Sequence, residues 1–132
     1  MTGRIAATSV EVFLDALASD APTPGGGAVA ALAGASGAAL ISMVCNLTIG
    51  RTGYEEAEER MRGVLDEAES SRTVLLDLAD RDAAAFGSVM AAFKMPKETD
   101  AEKAVRSKAI QAGYESAARV PLEIAKRASE LM

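Results

Sequence analysis

The most constraining feature of this sequence is residues 21–50, which contain no charged side chain. A run of this length is long enough to cross a membrane, since about 20 apolar residues suffice. Most of it is Ala, Gly and Ser, however, and Asn46 lies near its end, so its energy of membrane insertion would be weak. We therefore expect no membrane span and predict a helix from Gly27 to Gly50 that protein encloses on nearly every side.

Two stripes of side chains follow this predicted helix at helical spacing. Larger side chains dominate one seam, which consists of Val29, Ala33, Ser36, Leu40, Met43 and Leu47. Small side chains form the other stripe, which consists of Ala31, Ala35, Ala39, Ser42 and Asn46. Small residues let a neighbouring helix approach closely, so the second stripe predicts tight backbone packing.

The overall composition excludes several classes of function. The chain has a net charge of −5 and only 4% aromatic residues, so it offers neither a basic face for phosphates nor stacking platforms for bases. We expect no nucleic-acid partner. The single cysteine, Cys45, cannot form an intramolecular disulfide, and the N-terminus lacks the apolar core of a secretory signal, so we expect a cytoplasmic protein.

The absence of histidine constrains the chemistry. Proton transfer near neutral pH must use a carboxylate, Lys, Tyr or the thiol. One Cys is the remaining soft ligand, so we expect no metal site.

The remaining pattern predicts an all-α fold that forms a single domain over residues 1–132. Alanine occupies about a fifth of the positions, and no strand-length alternation of apolar and polar residues occurs. Thr8 and Glu11 have the spacing of a capping box, which predicts a first helix from Thr8 to about Ser19.

The second half of the chain predicts two further helices. No proline occurs between Tyr54 and about Phe93, which predicts one helix of about 60 Å. Pro96 then breaks the pattern, and a capping box at Thr99 and Glu102 predicts a final helix. We expect the Val120-Pro121 step to interrupt or kink that helix, whose apolar face then resumes until the chain ends in mid-pattern.

Asp82 is the one charged residue in the two heptad seams of the long helix. One seam holds Tyr54, Met61, Ala68, Leu75, Asp82 and Val89, and the other holds Ala57, Val64, Ser71, Leu78, Ala85 and Ala92. Removing a carboxylate from water is costly unless it is paired. Two interpretations stay open: Asp82 pairs with a Lys or Arg at the surface, or it takes part in chemistry.

The loop Pro24-Gly25-Gly26-Gly27, ahead of the uncharged helix, is a second candidate site. Free N–H groups and the positive end of the helix dipole suit an anionic or carbonyl oxygen. We expect the glycines to supply positive φ angles and close approach to the backbone. Such loops also occur as tight turns beside packed backbone, and no Gly-Lys-Ser or Gly-Lys-Thr follows to complete a phosphate loop.

Taken together, these motifs resemble the cyclodeaminase/cyclohydrolase family. The run PTPGGGAVAALAGASGAALISMVCNLTIGR, with Tyr54 just beyond it, is similar to the start of that family's domain. Three later segments match the family's Asp-x-Asp-x-x-Ala-Phe, Lys-Leu-Pro-Lys and Val-Pro-Leu motifs, namely Asp80 to Phe86, Lys94 to Lys97 and Val120 to Leu122. The family domain continues through further helices, with an Asn and Ser-Asp segment and an Asn-x-x-x-Asn segment, that this sequence does not contain. We therefore expect a C-terminally incomplete domain.

The resemblance implies a bundle of long helices that dimerises, with a folate pocket near the glycine-rich loop. It implies a tetrahydrofolate derivative as substrate and chemistry at the one-carbon bridge between N5 and N10. A cyclohydrolase adds water to the 5,10-methenyl carbon and opens the ring to 10-formyltetrahydrofolate. A cyclodeaminase closes 5-formiminotetrahydrofolate to the methenyl form and expels ammonia. The sequence leaves the choice between these two reactions open.

The resemblance also suggests roles for individual residues. Asp82 is the candidate catalytic residue, which would stabilise the cation and move the proton. The candidates for substrate binding are Pro24, Gly25, Gly26, Gly27, Arg51, Tyr54 and Lys94. Arg51 and Lys94 suit the glutamate carboxylates of folate and Tyr54 suits a ring contact or a hydrogen bond, although cations at helix ends are more often caps.

Two other interpretations compete with that of a folate enzyme, and in both of them a single chain does not contain a complete active site. The first is a non-catalytic helical dimerisation or scaffold module, or a degenerate paralogue that has lost its last helices. A pure scaffold would be expected to carry Leu or Ala at position 82. The second is a subunit whose site is completed by helices from another chain.

Overall fold

A computed structural model describes residues 3–132, and within that range the protein has four α-helices and no strand. The helices are α1 (Val10–Leu17), α2 (Gly26–Thr48), α3 (Glu58–Phe93) and α4 (Asp100–Glu130). Short 3₁₀ turns at Ile5–Ala7 and Glu55–Ala57 precede α1 and α3. The prediction of an all-α fold is confirmed.

α2 runs antiparallel to α3 and packs closely on it. Gly27, near the start of α2, lies against Asp82, whereas Gly34 lies against Leu75 one heptad earlier in α3. A Cβ atom at Gly34 would lie 3.1 Å from Leu75 Cδ1, so the two helices approach closely where α2 has no side chain. This antiparallel order brings the start of α2 beside Asp82.

α4 returns along α3, again in the antiparallel direction. Arg81 of α3 pairs with Glu123 of α4 at 3.2 Å, while Gly113, earlier in α4, packs against Val89, later in α3. The core joins all four helices and the first turn, and its buried members are Ile5, Phe13, Ala28, Ala31, Ala35, Leu75, Leu78, Ala79, Val120 and Ile124. The start of α2 therefore rests on the packed core.

The start of α1 differs from the predicted one. Ser9, not Thr8, is the N-cap, and its Oγ accepts a hydrogen bond from the Val12 N–H at 3.3 Å. The prediction of Thr8 was wrong because Thr8 closes the preceding 3₁₀ turn, where its N–H donates to the carbonyl of Ile5. The helix also ends earlier than predicted, at Leu17.

α2 is buried on one side only, so the prediction of a helix enclosed on nearly every side was wrong for the single chain. Its buried residues are small: Ala28, Ala31, Ala35, Ala38, Ser42 and Cys45. Most of its larger residues are exposed, including Leu40 at 59% and Leu47 at 61% of their full exposure. The predicted small stripe is only partly buried, since Ala39 and Asn46 are exposed. Small residues face α3 because only small side chains permit so close an approach.

We call the exposed residues Val29, Leu40, Met43, Val44 and Leu47 the α2 apolar face. Within the described range, α2 is the one helix long and apolar enough to cross a membrane, a property it shares with core helices of soluble proteins. Exposed large apolar side chains along one helix are typical of an interaction site.

The predictions for α3 and α4 are largely confirmed. α3 is a single helix, but it begins at Glu58 rather than Tyr54, because the Glu55–Ala57 turn comes first. The capping box of α4 is present, with the Glu102 N–H donating to Thr99 Oγ1 at 3.1 Å and the Thr99 N–H donating to Glu102 Oε2 at 3.0 Å. The predicted interruption at Val120-Pro121 was wrong, because α4 runs without a break from Asp100 to Glu130 with Pro121 inside it.

Candidate active site

Asp82 and the glycine-rich loop meet at the start of α2. The loop leads into α2 at Gly26, and Asp82 reaches the same point from the neighbouring turn of α3. A Cβ atom at Gly27 would overlap the Asp82 carboxylate, whereas a Cβ atom at Gly26 would meet nothing within 4 Å. The fold thus joins two site elements that the sequence presents separately.

The glycines of this loop provide space rather than an unusual backbone angle. The glycines with positive φ in the described range are Gly3, Gly50 and Gly53, so the expectation of positive φ in the loop was wrong. Gly25 is extended, with φ of −128°. The requirement for glycine is strongest at Gly27, where the carboxylate occupies the position of a side chain.

Asp82 supplies the negative charge that the start of α2 lacks. Gly25 is the N-cap of α2 and has no side chain to accept from the free N–H groups of the first turn. Burial raises the pKa of the Asp82 carboxyl above its ordinary value, and the backbone N–H of Ala28 acts in the opposite direction. Two opposite effects therefore act on the Asp82 carboxylate. Burial disfavours its charged form, and the dipole of α2 favours it.

No cation pairs with Asp82 among residues 3–132. The adjacent Arg81 is paired with Glu123 instead. The interpretation of Asp82 as a surface ion-pair partner therefore has no Lys or Arg to support it.

Asp80, two residues before Asp82, has a different environment. Its Oδ1 accepts a hydrogen bond from the Ile5 N–H at 2.6 Å, and its Oδ2 accepts one from Arg4 Nε at 3.2 Å. Ile5 belongs to the core, so these bonds hold the N-terminal turn against α3. Both oxygens of Asp80 are thus engaged in structural contacts.

A cavity of about 370 Å³ contains the meeting point of Asp82 and the loop. Its lining consists of Pro22, Thr23, Gly25, Gly26, Gly27, Asp82, Phe86, Ala117 and Pro121. Its volume falls within the range of small-molecule sites, which begins at about 300 Å³. Pro24 of the same loop is buried and lines a different cavity, beside Arg4 and Asp80, so its predicted binding role stays a prediction.

Three residues that line this cavity were not predicted as site residues from the sequence, namely Phe86, Ala117 and Pro121. Phe86 lies four residues after Asp82 and therefore on the same face of α3, a spacing that was available as a signal. Ala117 and Pro121 are likewise four residues apart on α4. Their place beside Asp82 depends on how α4 packs against α3, which no local pattern specifies.

The other cavities contain neither Asp82 nor the glycines. A larger one, of about 810 Å³, lies toward the opposite end of α3, where its lining includes Ile41, Ser71, Arg127 and Leu131. Another, of about 600 Å³, lies beside the Arg4 and Asp80 contact. Within residues 3–132 no three side chains among His, Cys, Asp and Glu converge as metal ligands.

The structure does not bring Arg51, Tyr54 and Lys94 to Asp82 within one chain. Arg51 and Tyr54 follow the far end of α2, whose length of about 33 Å separates them from the glycine-rich loop. Lys94 caps the end of α3, twelve residues or about 18 Å beyond Asp82. All three side chains are exposed, and their binding roles stay predictions.

The domain is an all-α bundle. In its candidate active site a carboxylate without a cation partner, Asp82, faces the glycine-rich start of α2. The model of the formiminotransferase-cyclodeaminase family matches residues 9–132. The chain belongs to this family, and the resemblance seen in its motifs is confirmed.

Individual relatives agree with this assignment. Methenyltetrahydrofolate cyclohydrolase from Methylorubrum extorquens is 48% identical over 124 residues, which are 94% of this chain and 60% of that protein. Formimidoyltransferase-cyclodeaminase from Mus musculus is 38% identical over 124 residues, which are 94% of this chain and 23% of that protein.

A solved structure has the same fold. The crystal structure of formiminotetrahydrofolate cyclodeaminase from Thermotoga maritima superimposes with a TM-score of 0.78 at 36% identity, covering 93% of this chain and 57% of that chain. This chain therefore spans about three fifths of the length of the cyclohydrolase and of the crystallised cyclodeaminase.

Proposed function

We propose that this protein is a folate one-carbon enzyme that acts at the N5–N10 bridge, as a methenyltetrahydrofolate cyclohydrolase. The observation that carries the proposal is Asp82, a carboxylate with no cation partner that lines a cavity at the start of α2. The 48% identity with the Methylorubrum cyclohydrolase over 94% of the chain supports this reaction.

The proposed reaction needs a group that accepts and returns one proton. The water oxygen bonds to the 5,10-methenyl carbon, one water proton passes to the Asp82 carboxylate, and the electrons of the C=N bond move to nitrogen. The bond from carbon to N5 then breaks, N5 takes the proton from Asp82, and the remaining hydroxyl proton is released to solvent as the formyl C=O bond forms. A carboxyl whose pKa is raised by burial is a better proton acceptor than an ordinary one, which suits Asp82 to both steps.

The carboxylate also suits the charge of the substrate. The methenyl bridge is an amidinium cation, and Asp82 is a negative group without a competing cation near it. An anionic group in a partly desolvated cavity stabilises a bound cation more strongly than it would in water. We propose that proton transfer by Asp82 makes a metal ion unnecessary.

The glycine-rich loop and the aromatic side chain beside it are proposed to hold the substrate. The free N–H groups at Gly26 and Gly27 suit an oxygen of the substrate, and Phe86, which is 40% exposed, offers a ring face within the same cavity. Arg51 and Lys94 would meet the glutamate carboxylates of folate and Tyr54 would contact a ring, with Arg51 and Tyr54 supplied by a second chain.

A cyclodeaminase is the second candidate function. It is favoured by the likeness to the Thermotoga cyclodeaminase, with a TM-score of 0.78. In that reaction N10 attacks the formimino carbon and passes its proton to the imino nitrogen, ammonia leaves with a second proton from a general acid, and the methenyl bridge forms. The same carboxyl would serve as that acid, so the site geometry favours neither reaction over the other.

Absorbance of 5,10-methenyltetrahydrofolate tests the proposal directly. Opening of the ring bleaches the chromophore, so the protein should accelerate the loss of absorbance, whereas a cyclodeaminase should produce absorbance from 5-formiminotetrahydrofolate. Activity with neither compound would contradict both proposals and favour the scaffold interpretation.

The proposal extends to assembly and location. A second copy of the chain would cover the α2 apolar face, since a homodimer buries such faces more readily than a monomer tolerates them. Light scattering should give at least a dimer, and a monomer at micromolar concentration would contradict this. We propose that the dimer works in the cytoplasm and binds no nucleic acid, consistent with its net charge of −5 and single Cys45.

A further inference from the structure

Pro121 leaves one backbone carbonyl of α4 without its helical partner. In an α-helix the N–H of residue i donates to the carbonyl of residue i−4, and proline has no N–H to donate. α4 continues through Pro121 to Glu130, so the carbonyl without this bond is that of Ala117. No side chain in the described range donates a hydrogen bond to it.

The residue with this unpaired carbonyl lies at the candidate active site. Ala117 and Pro121 both line the 370 Å³ cavity that contains Asp82 and the glycines. The residue that carries this carbonyl therefore borders the cavity on the α4 side, and Asp82 borders it on the α3 side. The neighbouring residues Val120 and Ile124 are buried in the core, which fixes the rotation of α4 at this point.

We infer that the Ala117 carbonyl positions the water that attacks the one-carbon bridge, together with Asp82. This inference rests on the proposed function. A water has two hydrogens, and two acceptors on opposite sides of the cavity hold both of them. One hydrogen bonds to Asp82, which takes that proton as the C–O bond forms, and the other bonds to the Ala117 carbonyl and stays on the oxygen.

Holding both hydrogens leaves a lone pair of the water free to point at the substrate. Fixing the nucleophile in this way lowers the barrier by removing the cost of orienting it. In this account a proline inside a helix serves the site, because every other residue at position 121 would supply an N–H that occupies the Ala117 carbonyl. The carbonyl is a positioning group, and the proton acceptor remains Asp82.

The test compares two substitutions that both remove the proline ring and differ in one N–H. Pro121→Ala gives α4 the missing N–H, which pairs with the Ala117 carbonyl. Lactic acid at position 121 carries the same methyl side chain, but its ester oxygen has no hydrogen, so the carbonyl stays unpaired. Both are made in the full chain and assayed with 5,10-methenyltetrahydrofolate.

We expect Pro121→Ala to lower kcat about tenfold, which is the effect of losing one hydrogen bond in the transition state. KM should change less than about twofold, because the ground-state contacts of the substrate are kept. The lactic acid variant should retain clearly more kcat than Pro121→Ala, since its carbonyl is free. The thermal midpoint of Pro121→Ala should equal or exceed that of the unaltered chain, because proline in a helix interior is unfavourable. Hydrogen exchange at the amide of position 121 should be slow, as its bond to Ala117 requires.

Three results would overturn the inference. Full kcat in Pro121→Ala would show that the carbonyl is not needed, and equal losses in both variants would assign the effect to the proline ring. Fast exchange at the amide of position 121 would show that no bond to Ala117 forms. An unaltered chain with no cyclohydrolase activity would instead overturn the proposed function, and with it the inference.

Discussion

Asp80 and Asp82 lie two residues apart on α3 and meet opposite environments. Asp80 accepts hydrogen bonds from Arg4 and from the Ile5 N–H, and these bonds fasten the N-terminal turn. Asp82 has no cation partner, lies over the start of α2 and has its pKa raised by burial. A carboxylate whose oxygens are already bonded is a structural element, whereas one left without a cation partner in a cavity is available for chemistry.

The largest expected effect is a loss of turnover when Asp82 is replaced, which distinguishes a catalytic role from a structural one. Asp82→Asn keeps the volume and removes the charge and the proton acceptor, so turnover should fall by about 10²-fold or more. The fold should stay intact, because no cation is left unpaired, and thermal stability should be unchanged or higher. Steady-state kinetics and a melting curve on the same preparation check both parts. A normally folded variant with unchanged turnover would remove Asp82 from the chemistry.

The next effect is expected at the glycine that makes room for Asp82. A Cβ atom at Gly27 would overlap the Asp82 carboxylate, so Gly27→Ala should displace it and lower turnover about tenfold. Gly26→Ala is the matched comparison, because a Cβ atom there meets nothing within 4 Å, and it should lose less turnover than Gly27→Ala. Kinetics of the two variants should differ clearly. Equal activity in both would mean that the loop tolerates a side chain beside the carboxylate.

A smaller effect, on stability rather than rate, is expected at Asp80. Asp80→Ala removes the acceptor of the Ile5 N–H and should lower the free energy of unfolding by about 1–2 kcal/mol. The ion pair with Arg4 adds little to this, because Arg4 is 67% exposed. Denaturant titration measures the change, and kcat should stay within about twofold of the unaltered chain. A large loss of turnover in a stable Asp80→Ala protein would reverse the roles of the two residues.

The sequence predicted more of the helices than of the surfaces between them. The heptad seams singled out Asp82, and the capping box of Thr99 and Glu102 placed the start of α4, because both are local patterns. Both stripes of α2 were also visible and both were expected to be buried, whereas the single chain buries mainly small residues and leaves most of the larger ones exposed. That outcome depends on how closely α3 approaches, and at Gly34 the approach leaves room for no larger side chain without a shift.

The candidate site shows the same limit. Pro24 to Gly27 and Asp82 were identified from their chemistry, and the antiparallel packing of α2 on α3 then brought them together. Phe86 was within reach of the sequence, as it lies one helical turn from Asp82. Ala117 was not, because its carbonyl matters only through the absent N–H of Pro121 and the register of α4 on α3.

The dependence of kcat/KM on pH tests the central claim most directly, when the unaltered chain, Asp80→Ala and Asp82→Asn are measured in one assay. Asp82 must be ionised to accept the proton, so the rate should fall as pH drops through its pKa. Because burial raises that pKa, the fall should lie above the ordinary carboxyl range. The unaltered chain and Asp80→Ala should share this fall, and Asp82→Asn should give a low rate without it. If Asp82→Asn retained the fall, or Asp80→Ala lost it, Asp82 would not be the proton acceptor.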